Sequence, residues 1–162
     1  QENLVITPGY NPFERKEGSE DDGGQAEFKI RSYQAADQSA VIDLWHRCSL
    51  VVPQNDPQKD IEMKYQVQAD LFFVGVIGSR IIATLMAGYD GHRGWIYYLA
   101  VDPDYQRQGI GRRMMERAED ALKKRGCPKI NLQVRTSNNA VISFYTSLGY
   151  SNDDVIGLGK KL

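Results

Sequence analysis

The stretch DYQRQGIGRR, Asp104 to Arg113, sets Gly109 and Gly111 one residue apart among Gln106, Arg107, Gln108, Arg112 and Arg113. Upstream lies an apolar, β-rich run, Trp95–Val101. Downstream, Met114, Ala118, Ala121 and Leu122 follow Ile110 at helical spacing. A strand therefore feeds a helix through a glycine-bearing loop. The first amides of a helix have no acceptor within it, and that end carries partial positive charge. Glycine lets main chain approach a bulky anion, and arginine adds charge-assisted contacts. The spacing reads as an anion cradle suited to a phosphate or pyrophosphate. The same letters also fit an ordinary strand-to-helix loop with solvated arginines. They are not a Walker loop, because no Lys-Ser/Thr follows the second glycine. They are not a full dinucleotide fingerprint, because Met114 stands where a third glycine belongs.

Composition narrows the classes. The chain has 162 residues and 41% hydrophobic content, enough for one domain with a real core. A net charge of -1 argues against nucleic acid as a partner. The charge is uneven: residues 1–27 carry seven acids and two bases, whereas 107–129 carries eight bases and three acids. Residues 1–26 read as an acidic, flexible leader arm, with Leu4–Thr7 as a short edge strand, and the folded domain as 27–162. Such a leader could dock on the basic 107–129 face. Two cysteines, Cys48 and Cys127, do not make a disulfide scaffold and point to a reducing, cytoplasmic compartment. His46 and Cys48 lack a second Cys/His pair, so no metal is expected. No apolar run reaches the ~20 residues a membrane helix needs, and no signal peptide is read.

The elements that must hold the loop follow from periodicity. Phe28–Tyr33 alternates as a strand, and Asp37 caps a helix with Val41, Leu44, Trp45 and Cys48 on one face. A second helix spans about Gln58–Gln68. Leu71–Ile77 and Arg80–Tyr89 form a hairpin around Gly78-Ser79, and Asp90–Gly94 turns into Trp95–Val101. The glycine-led helix stops at Gly126, Lys129–Val134 is a strand, and a capped helix closes at Gly149. Val155–Leu162 supplies a last short strand. The strands from Leu71 to Val101 form an antiparallel meander, and Trp95–Val134 a right-handed parallel crossover.

At this point LAVDPDYQRQGIGRRMM resembles the acyl-CoA-binding motif of the GNAT N-acetyltransferases, Gln/Arg-x-x-Gly-x-Gly/Ala, here Gln106-Arg107-Gln108-Gly109-Ile110-Gly111. SNNAVISFYTSLGY resembles a second block of that family, with Asn138, Phe144, Tyr145, Gly149 and Tyr150 in order. AGYDGHRG and RGCPKI are similar to its small bacterial YpeA-type branch. The resemblance covers about Phe28–Leu162. It implies the GNAT fold, of α+β class: an α/β/α sandwich with a mixed, mostly antiparallel sheet and a parallel βαβ crossover at the acyl-CoA site. It implies acetyl transfer from acetyl-CoA to a primary amine in a ternary complex, with a small molecule, protein or peptide as acceptor and a homodimer as the candidate assembly.

Residue by residue, the resemblance implies that amides from Arg107 to Arg112 bind the CoA pyrophosphate and that Leu99 and Val101 main chain pairs with the pantetheine arm. Asn138 contacts CoA; as a residue it also reads as a helix cap. Tyr145 is the general acid for the departing thiolate, its phenol protonated with a reference pKa of about 10. It also reads as packing, since Val141, Tyr145 and Leu148 share a helix face. Some protein N-terminal acetyltransferases of the family carry a Glu where Gln133 stands, and an amide is no base. The base candidates are Asp90 and His92 on the hairpin, His92 with a reference pKa near 6.5; the other reading is a solvated turn. Tyr97 and Tyr98 line the acceptor pocket or pack the strand, and Asp56 and Glu62 lie in the segment that shapes the acceptor site. A non-catalytic acyl-CoA-binding or regulatory module is the alternative.

Overall fold

The computed structural model describes residues 26–162. The leader, with its Leu4–Thr7 strand, lies outside the described residues apart from Ala26. The elements run β1 (Phe28–Ser32), α1 (Gln38–Arg47), α2 (Pro57–Gln66), β2 (Phe72–Ile77), β3 (Arg80–Tyr89), β4 (Gly94–Val101), α3 (Ile110–Lys124), β5 (Ile130–Asn131) and α4 (Asn139–Ser147). The five strands form one sheet in the order β1-β2-β3-β4-β5. β1 to β4 are antiparallel neighbours, and β5 joins β4 in parallel after the α3 crossover.

Helices cover both faces, as a sheet with two apolar faces requires. Val41, Leu44 and Trp45 of α1 and Ile61 of α2 pack on one face with Phe72, Val74 and Met86. Met114, Met115, Ala118 and Leu122 of α3 pack on the other with Val141, Phe144 and Tyr145 of α4. This is the α/β/α arrangement expected. Among the described residues, no helix is long and apolar enough to cross a membrane.

Three expectations change. Asp37 does not cap α1 with its side chain. Its carboxylate takes both guanidinium nitrogens of Arg31, at 2.7 and 2.9 Å, and the Gln34 amide at 2.8 Å. The Arg31 hydrogen bond is the main reason that carboxyl sits below its ordinary range. The strand expected over Lys129–Val134 shrinks to Ile130–Asn131, because only those residues find β4 beside them. Val155–Leu162 is not a strand; no ladder includes it, and its Lys129–Asp153 anchor is an ion pair at 2.7 Å rather than main-chain pairing.

β3 outruns β2. Their ladder ends at Phe72 opposite Met86, yet β3 continues to Tyr89. Side chains take over that edge: Gln68 Nε2 donates to the Tyr89 carbonyl at 2.7 Å, and Gln68 Oε1 accepts the Tyr89 amide at 2.9 Å. Lys64 Nζ donates to the Ala87 carbonyl, and burial pushes its amine down to about 8.

Candidate active site

The site begins with a mismatch between β3 and β4. Thr84 lies opposite Ala100, and Met86 opposite Tyr97, so Tyr98 and Leu99 together face Leu85 alone. This is a β-bulge, which kinks a strand and re-aims its side chains. Tyr98 absorbs the extra residue at φ 49°, a left-handed conformation costing a non-glycine residue about 1–3 kcal/mol. As a result Tyr97 and Tyr98 both pack toward the α1–α2 face, while Leu99 joins the α3–α4 core.

Three side chains hold the bulge. The Tyr98 ring stacks on Trp45, centroids 4.0 Å apart and planes at 13°. Its hydroxyl donates to Asp60 Oδ2 of α2 at 2.6 Å. Burial, with the Asp60 carboxylate second, drives that phenol well above its ordinary range. Thr84 Oγ1 donates to the Tyr98 carbonyl at 2.9 Å and accepts from Trp45 Nε1 at 2.9 Å. Thr84→Val keeps the volume but strands a buried indole N–H, so it should cost about 1–3 kcal/mol of stability. Denaturant midpoints for the two proteins would check this.

Already before the bulge, after Trp95, β4 loses its parallel neighbour. β5 pairs only at Gly94–Ile130 and Trp95–Asn131. The Asp102 amide donates to the Ile82 carbonyl at 2.7 Å, which sets the ladder phase. By the alternation of an antiparallel pair, Ala100 turns its main-chain groups toward β3, and Leu99 and Val101 turn theirs toward the splayed edge. The Val101 carbonyl meets Gln106 Nε2 and Cys48 Sγ, each at 3.4 Å. Burial pushes the Cys48 thiol up to about 12, so it stays protonated and is no nucleophile. Cys127 is half-buried ahead of β5, with Sγ 3.3 Å from the Lys129 carbonyl.

The splayed edge leads into the glycine loop. Arg107 and Gly109 both take left-handed φ, 64° and 75°. Gly109 is the N-cap of α3, and no side chain caps this end. The amides of Ile110, Gly111 and Arg112 in the first turn therefore point out of the helix without an intrahelical acceptor. Gly111 packs closely on α4: a Cβ there would come 3.1 Å from the Phe144 ring. Gln108 and Arg112 are exposed, and Ile110 anchors the turn in the core. Arg113, read as a phosphate contact, instead sits 4.5 Å over the Phe28 ring and reaches the Phe28 carbonyl. Arg117 likewise covers Phe73 at 4.9 Å. Part of the basic face is thus spent on the sheet.

Asn138 caps α4, its Oδ1 accepting the Val141 amide at 3.3 Å. Tyr145 is 2% exposed, edge-on to Phe144 at 5.0 Å and to Tyr150 at 5.7 Å. Its neighbour Phe144 is the ring that Gly111 packs on. The fold so brings Leu99, Val101, Ile110 and Tyr145 into one buried cluster. It does not bring Asp90 and His92 to that cluster. They lie beyond Gly94, and five residues of strand at about 3.3 Å each separate Gly94 from Leu99. The Asp90 carboxylate accepts the amides of His92 and Arg93 at 2.8 and 2.7 Å, and these bonds, Arg93 first, hold it below its ordinary range. Asp56 caps α2 through the Lys59 amide at 3.1 Å, and Glu62 accepts from Gln58 at 2.9 Å. Asp60 and Thr84, which hold the bulge, and Asp102, at the root of the loop, are not singled out by their sequence context.

A family model described as the acetyltransferase (GNAT) family matches residues 39–150. The chain belongs to this family. An acetyltransferase of Pectobacterium atrosepticum is 48% identical to this GNAT chain over 135 residues, 83% of this chain and 96% of its own length. One of Sodalis glossinidius is 49% identical over 136 residues, with the same coverage. Among solved structures, the ribosomal-protein-S18-alanine N-acetyltransferase of Escherichia coli shares 30% identity at a TM-score of 0.64, over 76% of this chain and 77% of that one. The PaiA N-acetyltransferase of Thermoplasma acidophilum, solved with coenzyme A, shares the fold at a TM-score of 0.64 and 20% identity, over 81% of this chain and 94% of that one. This chain is accordingly an N-acetyltransferase with the GNAT fold.

Proposed function

We propose that this enzyme moves an acetyl group from acetyl-CoA directly to a primary amine bound beside it. The observation that carries this reading is the continuous run from the splayed β4 edge into the uncapped start of α3. The edge offers main-chain groups of Leu99 and Val101 to an amide-bearing arm, as an added strand would. The amides from Arg107 to Arg112 suit a diphosphate in number and polarity. Gln106, Gln108 and Asn138 stand at the margins of the same region. The cosubstrate supplies an activated thioester, and the chain does the rest. The Leu99 N–H receives the negative charge that develops on the carbonyl oxygen. As the amine nitrogen bonds to the carbonyl carbon and the C–S bond breaks, the Tyr145 phenol gives its proton to the leaving sulfur. The amine's own proton needs an acceptor. Asp60, held by the phenol of Tyr98 next to Leu99, supports that role better by position than Asp90 or His92 at the far end of β4.

The acceptor is an amine, either small or at the end of a protein. The Escherichia coli relative is named for an alanine of a ribosomal protein, and an aminoglycoside N-acetyltransferase shares the fold at 14% identity. Acetyl-CoA incubated with the protein and a panel of small amines and peptide N-termini should release free thiol in step with acetylated product. Initial-rate lines for the two substrates should intersect. Parallel lines, or no thiol release with any amine, would overturn direct transfer.

A further inference from the structure

Asp102 is a carboxylate 1% exposed, placed between the end of β4 and the loop that leads to Gly109. Each of its polar groups is engaged. Its amide closes the β3–β4 ladder on Ile82 at 2.7 Å, and its carbonyl accepts the Tyr105 amide at 2.9 Å. Oδ1 accepts the Asp104 amide at 3.0 Å and so caps the Pro103–Tyr105 turn. Oδ2 accepts Arg47 Nη2 from the last turn of α1 at 3.0 Å and Arg80 Nη2 from the first residue of β3 at 3.2 Å. Arg80 also stands 5.7 Å over the Tyr105 ring, in the turn itself. One carboxylate therefore ties the root of the glycine loop to α1 and β3.

We propose that Asp102 is a positioning residue for the donor: it fixes the height and angle at which the loop amides meet the diphosphate. This rests on the acyl-CoA reading above. The negative charge is essential to the arrangement. An Asn in its place would offer one oxygen and one N–H₂ group, but the Asp104 amide faces position 102 on one side and two guanidiniums face it on the other. Either orientation sets N–H donors against donors, the Asp104 amide in one and the two guanidiniums in the other. The loop would then shift by a fraction of an ångström, enough to spoil a preorganised anion site.

The test compares acetyl-CoA with acetylpantetheine, which carries the thioester and arm but no diphosphate. In Asp102→Asn, KM for acetyl-CoA and Kd for CoA should rise about tenfold, with kcat and the KM for the amine within about twofold of wild type. With acetylpantetheine, kcat/KM should match wild type. Arg80→Gln, changed at a side chain 54% exposed, should show the same pattern at about threefold. That variant decides the matter if Asp102→Asn does not fold. Unchanged CoA affinity in the folded variants would overturn the proposal, as would equal losses with both donors. Failure of the wild-type protein to bind CoA would instead overturn the acyl-CoA reading itself.

Discussion

Tyr145→Phe should lower kcat by about 100-fold or more while CoA affinity stays within about twofold. The substitution removes one oxygen and keeps the ring, so the edge contacts to Phe144 and Tyr150 persist. The lost oxygen is the proton donor proposed for the departing thiolate. A thiolate leaving without a proton is a poor product in a buried, low-dielectric site, which is why the deficit should appear in turnover rather than binding. A donor whose thiol is more acidic needs the proton less, so the gap between wild type and variant should narrow with such a thioester. Steady-state rates with both donors, beside a CoA titration, test this. Unchanged turnover would leave Tyr145 as a packing residue.

Gly111→Val should reduce kcat/KM for acetyl-CoA by about 100-fold. Even a single Cβ would stand 3.1 Å from the Phe144 ring, and a branched side chain adds two carbons to a space already filled. The first turn of α3 must then move away from α4, carrying the Ile110, Gly111 and Arg112 amides with it. Overpacking of this kind costs about 1–3 kcal/mol as well. The cause is local and separable: trimming the obstacle in Gly111→Val/Phe144→Ala should recover part of the donor affinity. If Gly111→Val binds CoA as tightly as wild type, the amides of this turn are not the anchor.

The strand-to-helix turn at Gly109 was legible in the sequence because its logic is local. Two glycines with one residue between them, a strand before and a helical period after all fall between Trp95 and Leu122. The hairpin at Gly78-Ser79 and the inward face of α1 were legible for the same reason. Asp102 and Asp60 were not. Asp102 gains its meaning from Arg47 and Arg80, 55 and 22 positions away, and Asp60 from Tyr98, 38 positions away. The bulge at Tyr98 was equally hidden, since a tyrosine has no propensity for φ 49° and only the register between β3 and β4 imposes it. Asp90 and His92 were drawn toward the chemistry by closeness in sequence to β4, but an extended strand carries its two ends far apart. Strand length at β5 failed for a related reason: its residues have the right composition, but β4 bends away after Trp95 and leaves them without a ladder.

The overhang of β3 has a consequence for how this molecule keeps to itself. Bare strand edges invite extended segments from other chains, and that is a common start of fibrous association. Here the Gln68 carboxamide imitates a neighbouring peptide unit, and a lysine amine occupies the next acceptor along. Removing that pair of stoppers would turn a finished border into an adhesive one, and crowded solutions would register the change before any assay of acetyl transfer did.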